Sequence, residues 1–245
     1  MVGVLALSGR FDSAAALARK TLEALDRINH THTTGYALGH LACFLCAAEI
    51  EPLGVEIAKK CIELSERNRM PLWNALGLAS LSMARVYEGN DAEALPEFTR
   101  ALNMLSDLNF DVFRTTLLPS HALALAKTGD FTAATANLAE ARALMEEHDA
   151  RFSEPEISRV EGQLAVLQRN NIKAKACFEH ALGRAQNLGH LLWELRAAEN
   201  LAEMLRWEED FGGACDLLAS TRSRFTEGHD FPALRRVAGS IAEKA

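Results

Sequence analysis

Around residues 93–105 the apolar positions are Leu95, Phe98, Leu102 and Leu105, with Glu93, Glu97 and Arg100 between them. Spacings of three and four lay one apolar stripe along an α-helix. The pattern recurs in phase along the whole chain. Steps of 40 residues from Ala14 meet Gly54, Ala94, Ala134, Ala174 and Ala214, all small. The series Val2, Ala42, Ser82, Ala122, Gly162, Ala202 is also small or slight, as is Thr21, Cys61, Ala101, Ala141, Ala181, Thr221. A fourth series varies in bulk: Ala18, Ala58, Phe98, Leu138, Phe178, Leu218. Small residues at fixed repeat positions mark the close approach of two helices, and bulky ones fill the groove between neighbours. Six such units predict an all-α, right-handed superhelical solenoid of six helical hairpins. The repeats fall at about 1–30, 31–70, 71–110, 111–150, 151–189 and 190–228, with a C-terminal capping helix over 230–244.

Each unit reads as helix A, a tight turn, then helix B. The turns are visible at Ser8-Gly9-Arg10-Phe11-Asp12, Glu88-Gly89-Asn90-Asp91 and Thr128-Gly129-Asp130-Phe131. Gly takes the left-handed conformation that ends a helix, and the Asp or Asn after it caps the next. Repeat two turns at Ile50-Glu51-Pro52, repeat five at Arg169-Asn170-Asn171 with Asn in the left-handed role, and repeat six near Glu209-Asp210. Polar joints at Asn29–Thr34, Arg67–Met70 and His148–Phe152 link B to the next A, and Ser153-Glu154-Pro155-Glu156 has capping-box spacing. Twelve or thirteen helices and no strand are expected. In repeat one only Met1 to Ser8 stand for helix A, which implies a fragment of a longer protein or else a short natural first helix. The last helix carries Arg235, Arg236, Glu243 and Lys244 on its polar side, as a terminal cap does.

Composition changes this picture little. Hydrophobic residues make up 49% of the 245, enough for a continuous core, while 6 Pro and 15 Gly favour long helices. The net charge of −7 disfavours direct binding to nucleic acid, which needs a basic face. No apolar run reaches membrane-spanning length and no secretory signal opens the chain. Five cysteines in apolar helical stretches read as buried hydrophobes in a reducing compartment, so a cytoplasmic protein is expected.

The paired helices, small residues and Gly-Asp/Asn turns resemble the tetratricopeptide repeat. The 40-residue unit, longer than the usual one, is similar to the superhelical variant in maltose-regulator-type, ATPase-coupled activators. The last third is more specific. Ala174-Lys175-Ala176-Cys177-Phe178-Glu179-His180-Ala181-Leu182, Trp193-Glu194-Leu195-Arg196-Ala197-Ala198 and Phe225-Thr226-Glu227-Gly228-His229-Asp230 resemble the end of a bacterial regulator family. Its members carry an adenylate cyclase or winged-helix domain, then an AAA-type ATPase, then a tetratricopeptide tail. The chain departs from that family at its fifth turn and at His229. The resemblance implies a concave groove lined by A-helix positions. As partner-binding residues it points to Tyr36, Met83, Tyr87, Lys127, Arg159, Gln163, Arg196, Glu203, Arg206 and Trp207. The groove would be apolar in repeats two to four and charged in five and six. Such residues either bind a partner or pack against the superhelix's own next turn.

Chemical motifs are missing. The chain has no P-loop, no HExxH and no GxSxG. Cys43-x-x-Cys46 lies among Leu41, Ala42, Phe44 and Leu45, where packing explains it better than redox chemistry. His30-x-His32 is read as a solvated loop without a second ligand pair. His121 falls where sister repeats have Leu41, Leu81 and Leu201, so a buried, hydrogen-bonded histidine is expected. Trp73 and Trp193 are expected to pack between repeats, and Trp207 to face the groove. The sequence therefore reads as a non-catalytic, cofactor-free interaction module, the sensing C-terminal part of a bacterial signalling regulator. The alternative is a stand-alone adaptor that binds a peptide or helix. Expected partners are a protein, a peptide, upstream domains of the same polypeptide or a second copy, with neither nucleic acid nor membrane engaged.

Overall fold

A computed structural model describes residues 1–28 and 30–242. The described residues form thirteen α-helices and no strand. They are α1 (Val2–Leu7), α2 (Phe11–Leu25), α3 (Thr31–Ala47), α4 (Leu53–Arg67), α5 (Pro71–Tyr87), α6 (Asp91–Asp107) and α7 (Arg114–Lys127). They continue as α8 (Phe131–Glu147), α9 (Glu154–Leu167), α10 (Asn171–Leu188), α11 (Leu191–Trp207), α12 (Phe211–Ser223) and α13 (Pro232–Ala242). A short 3-10 turn at Arg151–Ser153 precedes α9. Consecutive pairs stack as six antiparallel hairpins in an all-α solenoid, and α13 follows the last. None of these helices is long and apolar enough to cross a membrane.

The 40-residue register is the packing register. Ala14, Ala94, Ala134, Ala174 and Ala214 are completely buried. At the equivalent Gly54 a Cβ would lie 2.9 Å from the Cys46 backbone nitrogen, so the two helices meet backbone to backbone there. At Gly162 a Cβ would lie 2.5 Å from the Phe178 ring, so a bulky B-helix residue fills the space a small A-helix residue leaves. Close-packed interiors require such complementarity.

The turns from A to B share one geometry. Gly9, Glu49, Gly89, Gly129, Arg169 and Glu209, spaced by 40, all have positive φ. The following residue donates its N–H five residues back: Arg10 to Leu5, Ile50 to Leu45, Asn90 to Arg85, Asp130 to Leu125, Asn170 to Ala165 and Asp210 to Leu205, at 2.8–2.9 Å. This is the Schellman closure. In repeat five the left-handed residue is Arg169, not Asn170. Asn170 instead caps α10, its Oδ1 accepting from the Lys173 N–H at 3.1 Å. In repeat two the left-handed residue is Glu49, ahead of the expected Ile50–Pro52 turn.

Several local expectations need correcting. Ser153 forms no capping box: it sits in helical geometry (φ −89°, ψ −11°), and its Oγ donates to Ala150 O at 2.9 Å. An N-cap needs extended backbone to aim its side chain at the helix. His30 is not loop: its Nδ1 accepts from the Thr33 N–H at 3.2 Å and caps α3, with His32 in the first turn. Arg236 of α13 is exposed, as a polar-side residue is, but it also pairs with Glu49 and Glu199 across the concave side. Glu243, Lys244 and the Asn29 end of the first joint lie outside the described residues. Cys43, Cys46 and Cys61 are buried as expected, and burial pushes the Cys43 thiol up to about 12 and that of Cys46 well up, whereas Cys177 and Cys215, on the B helices α10 and α12, are only half-buried. Trp73 meets Tyr36 and Phe110 edge-on, and the Trp193 indole donates to Phe152 O at 3.1 Å, so both tie neighbouring repeats.

The first and last hairpins meet. Phe11 packs against Phe225 and Phe231 at centroid distances of 5.8 and 5.7 Å. Glu227 accepts the Ser13 N–H and Oγ–H, both at 2.9 Å, and Asp12 accepts the Gly228 N–H at 2.8 Å. The solenoid thus closes on itself, and its concave side becomes the lumen of a ring.

Candidate functional site

The lumen is built from the A helices, near the ends of α5 and α7 and the middle of α9 and α11. Val86 and Tyr87 come from α5, Leu123 and Lys127 from α7, Arg159 and Gln163 from α9, and Arg196, Glu199, Asn200 and Glu203 from α11. Glu49 enters from the turn after α3. Helix α13 supplies the remaining wall with Arg235, Arg236, Gly239 and Ser240. Together they enclose an open cavity of ≈ 580 Å³.

Its floor is an ion network. Arg159 forks onto Glu156, Nε to Oε2 at 2.8 Å and Nη2 to Oε1 at 2.6 Å, and its Nη1 donates to Gln163 at 2.7 Å and Asn200 at 3.1 Å. Arg196 donates to Ala47 O at 2.7 Å, Glu49 at 2.8 Å, Tyr87 Oη at 3.1 Å and Glu156 at 3.4 Å. Its guanidinium also lies over the Tyr87 ring, 4.3 Å from the centroid. Arg236 reaches Glu49 at 2.6 Å and Glu199 at 3.3 Å. Burial alone would raise the Glu49 carboxyl, but Arg196 and Arg236 overcome it and hold it at about 2. Burial pushes Glu199 up, with Arg236 opposing and Glu49 reinforcing. Buried charges persist only when paired in this way.

Some groups at the rim are uncommitted. Arg235 has no ion pair among the described residues, although it lines the cavity. Gln163 Nε2 and Asn200 Nδ2 remain available, because Arg159 occupies only their oxygens. Lys127 is held loosely by Asp91 at 3.3 Å. Next to these groups opens an apolar slot of ≈ 130 Å³ between Leu123, Val166, Leu167, Phe178, Met204 and Trp207. Lys127, Gln163, Asn200 and Glu203 line both spaces. Trp207 is 56% exposed and closes the slot on the solvent side. A polar chamber joined to an apolar side pocket can hold a ligand that carries both characters.

Among the sequence-derived groove residues, Tyr87, Lys127, Arg159, Gln163, Arg196 and Glu203 line the chamber, and Trp207 lines the slot. Arg159 and Arg196 are only 5% and 4% exposed, so their charges serve the ring's own carboxylates more than a ligand. Met83 has no exposed surface and belongs to the core. Tyr36 stacks on His40 at 4.0 Å near a separate cavity of ≈ 340 Å³ beside Met1 and Phe44. Arg206 donates to Ser240 O at 3.2 Å and holds the end of α13. The sequence reading missed Glu49, Asn200 and the two α13 arginines.

Comparison with solved structures finds the same architecture elsewhere. The crystal structure of BtubC (BKLC) from P. vanneervenii superimposes with a TM-score of 0.57 at 14% identity, over 95% of this chain and 92% of that one. A Rap protein crystallised in complex with Competence and Sporulation Factor gives 0.61 at 14%, over 96% of this chain and 72% of that one. At this identity the likeness speaks for the helical-repeat fold alone. No protein-family model and no curated protein matches the sequence.

Proposed function

We propose that this chain is a non-catalytic interaction module that takes a short acidic or mixed peptide segment into the lumen, with an apolar side chain in the slot under Trp207. The observation that carries the reading is the junction of the two spaces. The uncommitted amide groups of Gln163 and Asn200, with Lys127 paired to Asp91, line both the chamber and the apolar pocket, Arg235 lines the chamber, and the exposed Trp207 lines the pocket. Tryptophan and arginine anchor interfaces because each buries large area and makes directional contacts. The Rap neighbour's complex with a factor supports a ligand on this type of scaffold. Phage selection from a random heptapeptide library on the full chain tests the proposal. Selected peptides are expected to carry a carboxylate near an aliphatic residue. Trp207→Ala is expected to weaken them by about 1–2 kcal/mol with helicity unchanged by circular dichroism. Peptides indifferent to Trp207 would refute the site.

The finer reading places this module behind an effector, as the sensing tail of a bacterial cyclase or ATPase-coupled transcription regulator in the cytoplasm. Its support is the resemblance carried by residues 174–182, 193–198 and 225–230. Gene sequence encoding a P-loop within a few hundred codons before Met1 is the expected outcome. A stop codon directly upstream favours the stand-alone adaptor.

A further inference from the structure

Asn200, Glu203 and Trp207 follow one another on α11 at intervals of three and four, so they form one stripe along the helix. Asn200 and Glu203 line both the chamber and the slot, and Trp207 lines the slot. Glu203 therefore stands at the junction, one helical turn from the tryptophan. Of the carboxylates that line the chamber, Glu49 is paired with Arg196 and Arg236, and Glu199 with Arg236. Glu203 has no hydrogen bond and no ion pair among the described residues. The Arg206 guanidinium, three residues on, donates to Ser240 O at 3.2 Å instead. Burial pushes the Glu203 carboxyl up, with the Arg206 charge opposing. An anion already short of solvation thus faces both spaces without a partner.

The slot of ≈ 130 Å³, with the buried Phe178 in its wall, has room for one aliphatic side chain but not for a main chain passing through. Whatever fills it covers Glu203. Covering an unpaired carboxylate is costly unless the ligand brings a cation, and a ligand carboxylate at this point would be repelled. The first residue of a peptide meets both demands at once. Its α-ammonium and its side chain share one Cα, so the charge is placed without freezing a second flexible chain. Lys127, the cation that lines both spaces, is already paired to Asp91 at 3.3 Å, which argues against the reverse arrangement with a carboxyl end at the slot.

We propose that the lumen takes its peptide amino end first, with the α-ammonium on Glu203, an aliphatic first side chain in the slot beside Trp207, and a later carboxylate at Arg235. This rests on reading the chain as a peptide-binding module. It adds the ligand's class, a peptide with a free, unmodified amino terminus, and it names Glu203 as the residue that selects that terminus. Internal loops of a folded protein and blocked amino termini are excluded.

A heptapeptide library displayed with free amino termini is expected to return an aliphatic residue at position one. Each selected peptide is then synthesised with a free and with an acetylated amino terminus, labelled with fluorescein at its carboxyl end, and titrated into the full chain and into Glu203→Gln. Acetylation is expected to weaken binding at least tenfold on the unaltered chain and less than twofold on the variant, so that the two changes are strongly coupled. An aliphatic residue at internal positions, or acetylation that leaves binding to the unaltered chain intact, overturns the proposal, and neither result needs the variant. An equal loss on both chains overturns the role of Glu203. Where binding still depends on Trp207 in these cases, the peptide-binding reading stands and only the orientation fails. Peptides indifferent to Trp207, or a library that returns no binder, overturn both.

Discussion

His121 occupies a position that sister repeats fill with leucine, and its surroundings explain how. Asn137 Nδ2 donates to Nδ1 at 2.6 Å, which leaves the Nε2–H to donate to Thr99 Oγ1 at 2.8 Å. The ring is satisfied only when neutral, and burial lowers it from 6.5 to about 4. The unfolded chain therefore binds a proton that the folded one refuses between those two values. Stability is complete above pH 6.5 and falls by up to about 3 kcal/mol as pH drops towards 4. Glu49 adds a second acid-sensitive window, present above 4.5 and lost as pH falls towards 2. Urea midpoints measured from pH 7 to 4 are expected to fall steadily in the natural chain. In His121→Leu they start lower, since Asn137 and Thr99 lose a partner, but the slope in that window is smaller. An unchanged slope would show that His121 is not the titrating group.

Among the elements, the turns show which local signals a sequence displays and which it hides. Gly9, Gly89 and Gly129 announce their conformation because only glycine adopts it without strain. Glu49, Arg169 and Glu209 adopt it too, held by the same Schellman bonds, and nothing in their side chains says so. The 40-residue register finds them, since packing sets the turn and residue preference merely follows. Glu209 is exposed and forms no contact that its geometry serves, so Glu209→Gly is expected to raise stability by about 0.5–1 kcal/mol, read as a shift in denaturant midpoint at constant slope. The same change at Glu49 would be destabilising, because that turn residue bonds Arg196 and Arg236. The helices themselves were legible because their buried stripe repeats; Ala134 and Phe178 each have sisters to average over. Ser153 misled because its motif was read without the 3-10 turn that precedes it.

At the scale of the whole molecule the contacts that matter have no sisters. Arg196 to Glu49 spans 147 residues, Arg236 to Glu49 spans 187, and Gly228 to Asp12 spans 216. Each occurs once, so no period reveals it, and the lumen's charge network and the closure of the ring stayed hidden in the sequence. Groove positions could be assigned from helix phase, but whether a groove arginine meets solvent or a carboxylate from a distant repeat depends on the superhelix's path. Arg196 joins α3, α5 and α9 at one point. Arg196→Leu, which leaves Glu49 and Glu156 short of a partner, is expected to cost about 3 kcal/mol or more. Equilibrium denaturation checks this, and a loss below about 1 kcal/mol would mean that the other arginines compensate. In an open solenoid each repeat can fold against its neighbour as soon as both exist. Here Phe11 awaits Phe225. At a ribosome's ~5–20 residues per second, the first hairpin stands without its closing partner for about 10–40 s during synthesis. Throughout that interval a phenylalanine that ends wholly buried lacks its aromatic cover, so the growing chain offers a chaperone a foothold at this hairpin.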